Sequence, residues 1–359
     1  MNGKTRHSFP QPIQPQPQRQ VGQTRRAGRA WLAGMLLAPA LMLGASAAEA
    51  AVFKDSTLQN LLDNGQADQL EKVASQRLKS QPDDPQATAA LALAQLDLAD
   101  GNALRQNIQR LEQCVQKTPQ EASCSYALAL ALVMQVRGGS KFKALGALGR
   151  VSELMQKAMS QLPDAPEPRS ALQQYYLALP GFIGGGESKA RALEQGVQDD
   201  DQLRLMRARV AASKKDWAAM ERELRGVHTR RPELQLEQRV LGNDLGRQWM
   251  HDRQFAKARS WLEELSRQQP QQAMPLYGLG RVLDAMDDHD GAVAAYEKAR
   301  TLNGAEQLAL DHRIGIALQD KGDKSGARAA FERYLTNRRA SASNVEDCRR
   351  RLAELGAAT

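Results

Sequence analysis

Three glycines, Gly246, Gly280 and Gly315, head the same pattern at separations of 34 and 35 residues. Twelve residues after each stands an alanine: Ala258, Ala292 or Ala327. Sixteen after each stands a large apolar residue: Leu262, Tyr296 or Phe331. Leu245, Leu279 and Ile314 precede the glycines, and Trp249, Leu283 and Leu318 follow three positions later. A period between 20 and 50 residues marks supersecondary units that bury their apolar faces only by stacking on neighbours. The units are helical. Apolar residues recur at three- and four-residue spacing, good helix formers dominate, and alternating β-branched runs are missing. An aromatic content of 4% also argues against a sandwich or barrel. Glycine and alanine then belong where two antiparallel helices approach closely, with the large residues filling the flanks.

This pattern resembles the tetratricopeptide repeat (TPR), most clearly over residues 236–338. The resemblance implies an all-α fold: a right-handed TPR-type solenoid of antiparallel helix pairs with a C-terminal capping helix. We expect seven or eight pairs between Phe53 and Arg338, then a helix near Val345 to Leu355 with a polar face. Pro82, Pro119, Pro232 and Pro270 mark repeat ends. The expected organisation is a leader over 1–50, degenerate TPR-like pairs with two glycine-rich insertions over 51–200, repeats over 201–338, and a cap over 339–359.

The formal charge of +8 does not describe a uniformly basic surface. Lys4, Arg6, Arg19, Arg25, Arg26 and Arg29 against Glu49 put +5 of it in the first 50 residues. An uncharged stretch follows from Ala30 to Ala48 and ends in Ala48-Glu49-Ala50. A basic region, an apolar run and an A-x-A ending read as a secretory signal cleaved after Ala50. The expected location is the periplasm, without stable membrane insertion after cleavage. The alternative is an inner-membrane anchor formed by residues 30–48. What remains is nearly neutral, so nucleic acid is not expected as a partner. The excess sits at 201–270, with 15 basic and 10 acidic residues.

Two glycine-rich stretches interrupt the pattern, Arg137 to Arg150 and Leu179 to Leu193. A phosphate loop needs a lysine directly after its last glycine, whereas Gly186 is followed by Glu187. A tight loop before a helix from Ser188 is the plainer reading. The segments ALQQYYLALPGFIGGGESKA and EASCSYALALA resemble a group of secreted bacterial TPR proteins with a P-G-x-x-G-G-G-x-x-K-A insertion. That resemblance implies no enzymatic activity. More distantly, the layout is similar to TPR proteins associated with solute transporters.

Catalytic and metal motifs are missing. His228, His251, His289 and His312 show no metal-ligand spacing and read as solvated polar residues. Asp199-Asp200-Asp201 reads as a helix start. No cofactor, no metal and no enzymatic activity are expected. Cys114 and Cys124 lie five residues on either side of Pro119. In an oxidising compartment they form a disulfide across a helical turn, or else they are small core residues.

The TPR resemblance also places the working surface on the concave face. The family's groove positions fall on Asn243, Arg247 and Met250, with His251 beside them; on Tyr277, Arg281 and Asp284; and on His312, Ile316 and Gln319. Stacked arginines suit a carboxylate or peptide backbone. The expected function is an exported, non-enzymatic scaffold binding an acidic peptide or protein segment. The alternative is a periplasmic solute- or transporter-associated binding protein using a cavity near Gly181–Gly186. Oligomeric state is left open, homo-oligomers through end helices being one outcome.

Overall fold

The computed structural model describes residues 51–98, 100–138 and 141–357. The leader therefore lies outside the described residues. Among those described, the chain forms 17 α-helices and no strand. They follow one another as antiparallel pairs. The pairs are α1 (Ser56–Asp63) with α2 (Ala67–Ser80), α3 (Pro85–Ala94) with α4 (Gly101–Lys117), and α5 (Ala122–Gly138) with α6 (Lys141–Gln161). Next come α7 (Pro166–Ala178) with α8 (Glu187–Ala192), and α9 (Asp200–Ser213) with α10 (Trp217–Arg225). The last are α11 (Pro232–His251) with α12 (Phe255–Gln268), α13 (Ala273–Asp284) with α14 (His289–Arg300), and α15 (Leu310–Lys321) with α16 (Lys324–Leu335). A single helix, α17 (Ala342–Ala357), packs on α16 and ends the array. Successive helices pack on one another all along the array, as a TPR-type solenoid requires.

Local chemistry sets the helix boundaries. Aspartates cap seven helix starts, among them Asp84, Asp199 and Asp323, by accepting from first-turn amides. Pro85, Pro166 and Pro232 open α3, α7 and α11, where the missing N–H costs nothing. The stretch from Arg137 to Arg150 is a correction to the expected insertion. Its described residues are helical, in α5 and α6, because its alanines, leucines and lysines outweigh its glycines.

The repeat pattern has a direct steric cause. A Cβ on Gly246 would meet Leu262 Cδ1 at 2.9 Å, on Gly280 Tyr296 Cε1 at 2.5 Å, and on Gly315 Phe331 Cε1 at 2.4 Å. Each glycine therefore receives the large residue of the paired helix, and the alanine beside it is fully buried. Tyr334, which replaces the alanine that TPRs favour, is also buried. Its hydroxyl accepts from the Ser341 amide and the Asn344 side chain, which fastens α17 to the array.

The array does not stay open at its N-terminal end. Its first pair folds back onto the loops that join the last repeats. Asn303 Nδ2 and Gln272 Nε2 donate to Asn64 Oδ1 at 3.2 and 2.9 Å. Gln66 Nε2 donates to Asn303 Oδ1 at 3.1 Å, and Arg239 Nη2 to the Asp63 carbonyl at 2.8 Å. Arg338 and Arg339, between α16 and α17, reach Glu71 and Asp68 on α2. The contact is polar, unlike the apolar seams between successive pairs.

Cys114 lies in the last turn of α4 and Cys124 in the first turn of α5, and the two are joined as a disulfide across a Cα separation of 6.0 Å. Cys348 is a free thiol buried in α17. Among the described residues no helix is long and apolar enough to cross a membrane.

Candidate functional site

The first helices of the last three full pairs, α11, α13 and α15, carry the expected groove residues in register. Three positions before each packing glycine stand Asn243, Tyr277 and His312; one position after stand Arg247, Arg281 and Ile316. Asn243 packs on the next helix, where Gly278 leaves room: a Cβ there would lie 2.3 Å from Asn243 Oδ1. That oxygen is buried with no hydrogen-bond donor. Tyr277 leans on Tyr296 with ring centroids 5.9 Å apart. Met250 is half-buried against the core between α11 and α12, and His251 is exposed at the end of α11.

The arginines differ in their surroundings. Arg247 is exposed and pairs with Asp244 at 2.8 Å. Arg281 is half-buried, and among the described residues it has no carboxylate within ion-pair distance. Burial pulls its guanidinium below the usual range, and the positive charges of Arg313 and Arg247 add to this. The cause is legible one position over. Two residues before the packing glycine stand Asp244, Gly278 and Arg313 in successive repeats. The acid that neutralises Arg247 thus has no counterpart beside Arg281, and one repeat later it has become another arginine. Arg313 Nε is itself buried without a hydrogen-bond partner. Sequence reasoning missed Arg313 because the alignment placed Ile316 in the arginine column. The signal was available, since residues three apart share a helix face.

At the C-terminal end the expected groove is closed by α17. His312 is buried and donates through Nε2 to Asp347 Oδ2 at 2.8 Å, between the rings of Phe331 and Tyr334. Burial holds it neutral by pulling its pKa below the usual value. Gln319 accepts from Arg351 Nη1 at 2.8 Å. Both face α17 and not solvent. The reading of His312 as a solvated residue is corrected: a packed cap covers it.

Asp284 lies across a turn from His289, whose Nδ1 is 2.9 Å from Asp284 Oδ1. That hydrogen bond raises the histidine pKa. With Asp320, these residues bring ligand atoms within 4.8 Å of one another, the group best placed among the described residues to hold a cation. The hydrogen bond to Asp284 occupies the imidazole Nδ1.

The loop at Gly181–Gly186 is not a phosphate cradle. Gly184 and Gly186 have φ of +97° and +105°, and a Cβ on Gly185 would lie 2.2 Å from the Leu179 carbonyl oxygen. The amides of Ile183, Gly184, Gly185 and Gly186 donate to Pro180, Gly181, Pro180 and Tyr176 carbonyls. Lys189 Nζ caps the Gly184 carbonyl at 2.9 Å. The glycines serve a tight reversal whose amides are already spent, and Phe182 at its tip is 89% exposed. Separate cavities of about 660 and 680 Å³ lie around Gln59, Asp63 and Pro163, and this loop lines neither.

No family profile matches the chain, and no curated protein matches it in sequence. Among solved structures it is similar to the crystal structure of an APC/C hetero-tetramer, Cut9-Hcn1. Identity is 12% and the TM-score 0.46, over 83% of this chain and 48% of that one. The chain thus spans about half the length of the structure it matches.

Proposed function

We propose that the protein is an exported, non-catalytic TPR scaffold whose groove holds an acidic peptide segment between α11, α13 and α15. One observation carries the reading: Arg281 is half-buried beside Arg313 and Arg247 with no carboxylate of its own. Holding unneutralised guanidinium groups together in a partly desolvated place is unfavourable unless a ligand supplies the anion. A carboxylate entering from a partner would take the fork of Arg281 bidentately. The half-buried Asn243 and Tyr277 would flank the peptide backbone. The basic signal-like leader, its A-x-A ending and the disulfide favour export to the periplasm.

Fluorescence anisotropy with labelled acidic and neutral peptides tests the groove. Acidic peptides should bind, and replacing Arg281 and Arg313 together by alanine should weaken them at least tenfold. Equal affinity for neutral peptides, or no effect of the double substitution, would sink the reading. Cell fractionation tests the compartment separately.

A further inference from the structure

Arg281 and Arg313 stand on α13 and α15, the first helices of successive repeats. Both are half-buried, and among the described residues neither side chain has an ion pair or a hydrogen bond. Of the charges acting on Arg281, that of Arg313 is the strongest. A third donor stands with them. Tyr296 is fully buried, its hydroxyl has no hydrogen-bond partner, and the groups that act on it are Asp284, Arg313, Tyr277 and Arg281. The acids of this neighbourhood are engaged elsewhere. Asp284 holds His289 Nδ1 at 2.9 Å, and Asp244 pairs with Arg247 at 2.8 Å.

The ligand must therefore meet a pair of guanidinium groups and not a single one. One carboxylate brings one negative charge and two oxygens, enough for one fork. The next residue of an extended segment does not supply a second, because consecutive side chains point to opposite sides. One side chain must carry the whole charge. A phosphate monoester does so: it holds about −1.5 to −2 at neutral pH and presents three strong acceptor oxygens on one atom. Two forks can share those oxygens, each taking two, with lone pairs left for a hydroxyl donor.

We infer that the anion this groove selects is a phosphoryl group on a serine or threonine of the bound peptide, held between Arg281 and Arg313. The inference rests on the groove reading above and is independent of the compartment. It divides the roles of the two residues. Arg281 alone suits a carboxylate, and Arg313 adds the second charge that separates a phosphoryl group from an acid side chain. Binding is then switched by whatever adds or removes that group on the partner.

The test uses labelled peptides identical except at one central position, which is phosphoserine, glutamate or serine. Fluorescence anisotropy with the natural protein should show phosphoserine bound at least about tenfold more tightly than glutamate, about 1.4 kcal/mol, and serine more weakly than either. In Arg313→Met, checked for folding by circular dichroism, the preference should fall below about threefold while the glutamate peptide keeps most of its affinity. Arg313→Gln takes its place if the methionine variant does not fold. Equal binding of phosphoserine and glutamate peptides to the natural protein would overturn the phosphoryl assignment and leave the acidic-peptide groove standing. A preference that survives loss of the Arg313 charge would also overturn it. No binding of either peptide would overturn the inference and the groove reading together. Inorganic phosphate should displace the phosphoserine peptide only at far higher concentration than the unlabelled peptide does. Displacement at equal concentration would assign the site to free phosphate and overturn the peptide as its carrier.

Discussion

Arg339 Nη2 lies 2.8 Å from Asp68 Oδ1, a contact between residues 271 positions apart. The same guanidinium pairs with Asp97 and donates to the Ala94 carbonyl at 3.0 Å, and its side chain is 2% exposed. Arg338 beside it is 53% exposed and reaches Glu71. Removing a buried cation strands its partners, whereas removing an exposed one does little. Arg339→Ala should therefore destabilise the protein by about 2–3 kcal/mol in denaturant titration, discounted because Asp68 and Asp97 stay partly wet. Arg338→Ala should cost no more than about 1 kcal/mol. Limited proteolysis should also cut first within α1–α3 in the Arg339 variant. Equal losses for the two variants would mean that Arg339 does not hold the closure.

The packing glycines separate conformational freedom from close approach. A Cβ on Gly280 would enter the Tyr296 ring, while one on Gly149, in α6, has nothing within 4 Å. Gly280→Ala should cost about 1–3 kcal/mol through overpacking. Gly149→Ala should gain about 0.5–1 kcal/mol, because alanine gives up less backbone entropy in a helix. Thermal melts of the two variants should move in opposite directions.

These positions show what the sequence discloses. Gly246, Gly280 and Gly315 with their partners sixteen residues on specify a helix–helix contact, and close contacts repeat at a fixed period. The pairs, their number and the capping helix were legible for that reason. The closure by Arg339, Asn64 and Asn303 was not, because contacts over 200 residues apart leave no periodic trace and use polar residues common on any surface. The groove was half legible. Arg281 stands out by alignment, but its missing counter-ion appears only when Asp244, Gly278 and Arg313 are compared across repeats. The burial of His312 depends on where α17 lands, which repeat spacing does not encode.

That cap gives the protein an acid-sensitive end. Burial keeps His312 neutral in the folded state, so its folded pKa lies below the unfolded one. The unfolded chain then takes up a proton first as pH falls. Stability from this group is full above about 6.5 and is lost as pH drops from there through the lowered folded value. Asp347 acts in a lower window. Burial pushes its carboxyl up, but hydrogen bonds from His312, Arg351 and Arg350 more than offset this and hold it well below the usual range. Its contribution is present above about 4 and is lost only under stronger acid. His289 and Glu167, whose folded-state pKa values are raised, add stability as pH falls over the same range, so the His312 contribution is read as a difference. From pH 7 to pH 5 the natural protein should lose unfolding free energy relative to His312→Gln, which retains a donor toward Asp347, so the two slopes should differ. An unchanged slope would place the titrating group elsewhere.

Arg281 should show opposite effects on stability and binding. Its guanidinium is half-buried among like charges, near Tyr277 and Tyr296. Methionine keeps the stem and removes the charge. Because an unneutralised buried charge costs the folded state, Arg281→Met should melt at the same temperature as the natural protein or about 1–2 °C higher. Acidic-peptide affinity should fall at least tenfold, about 1.4 kcal/mol, and lose most of its salt dependence. Arg247→Met supplies the control. Arg247 already pairs with Asp244 at 2.8 Å, so its loss frees an acid beside the groove and should weaken binding less per charge removed. A residue kept for folding would lose stability along with affinity. A residue kept for a ligand loses affinity alone, and a melting temperature that drops with Arg281→Met would assign it to the fold.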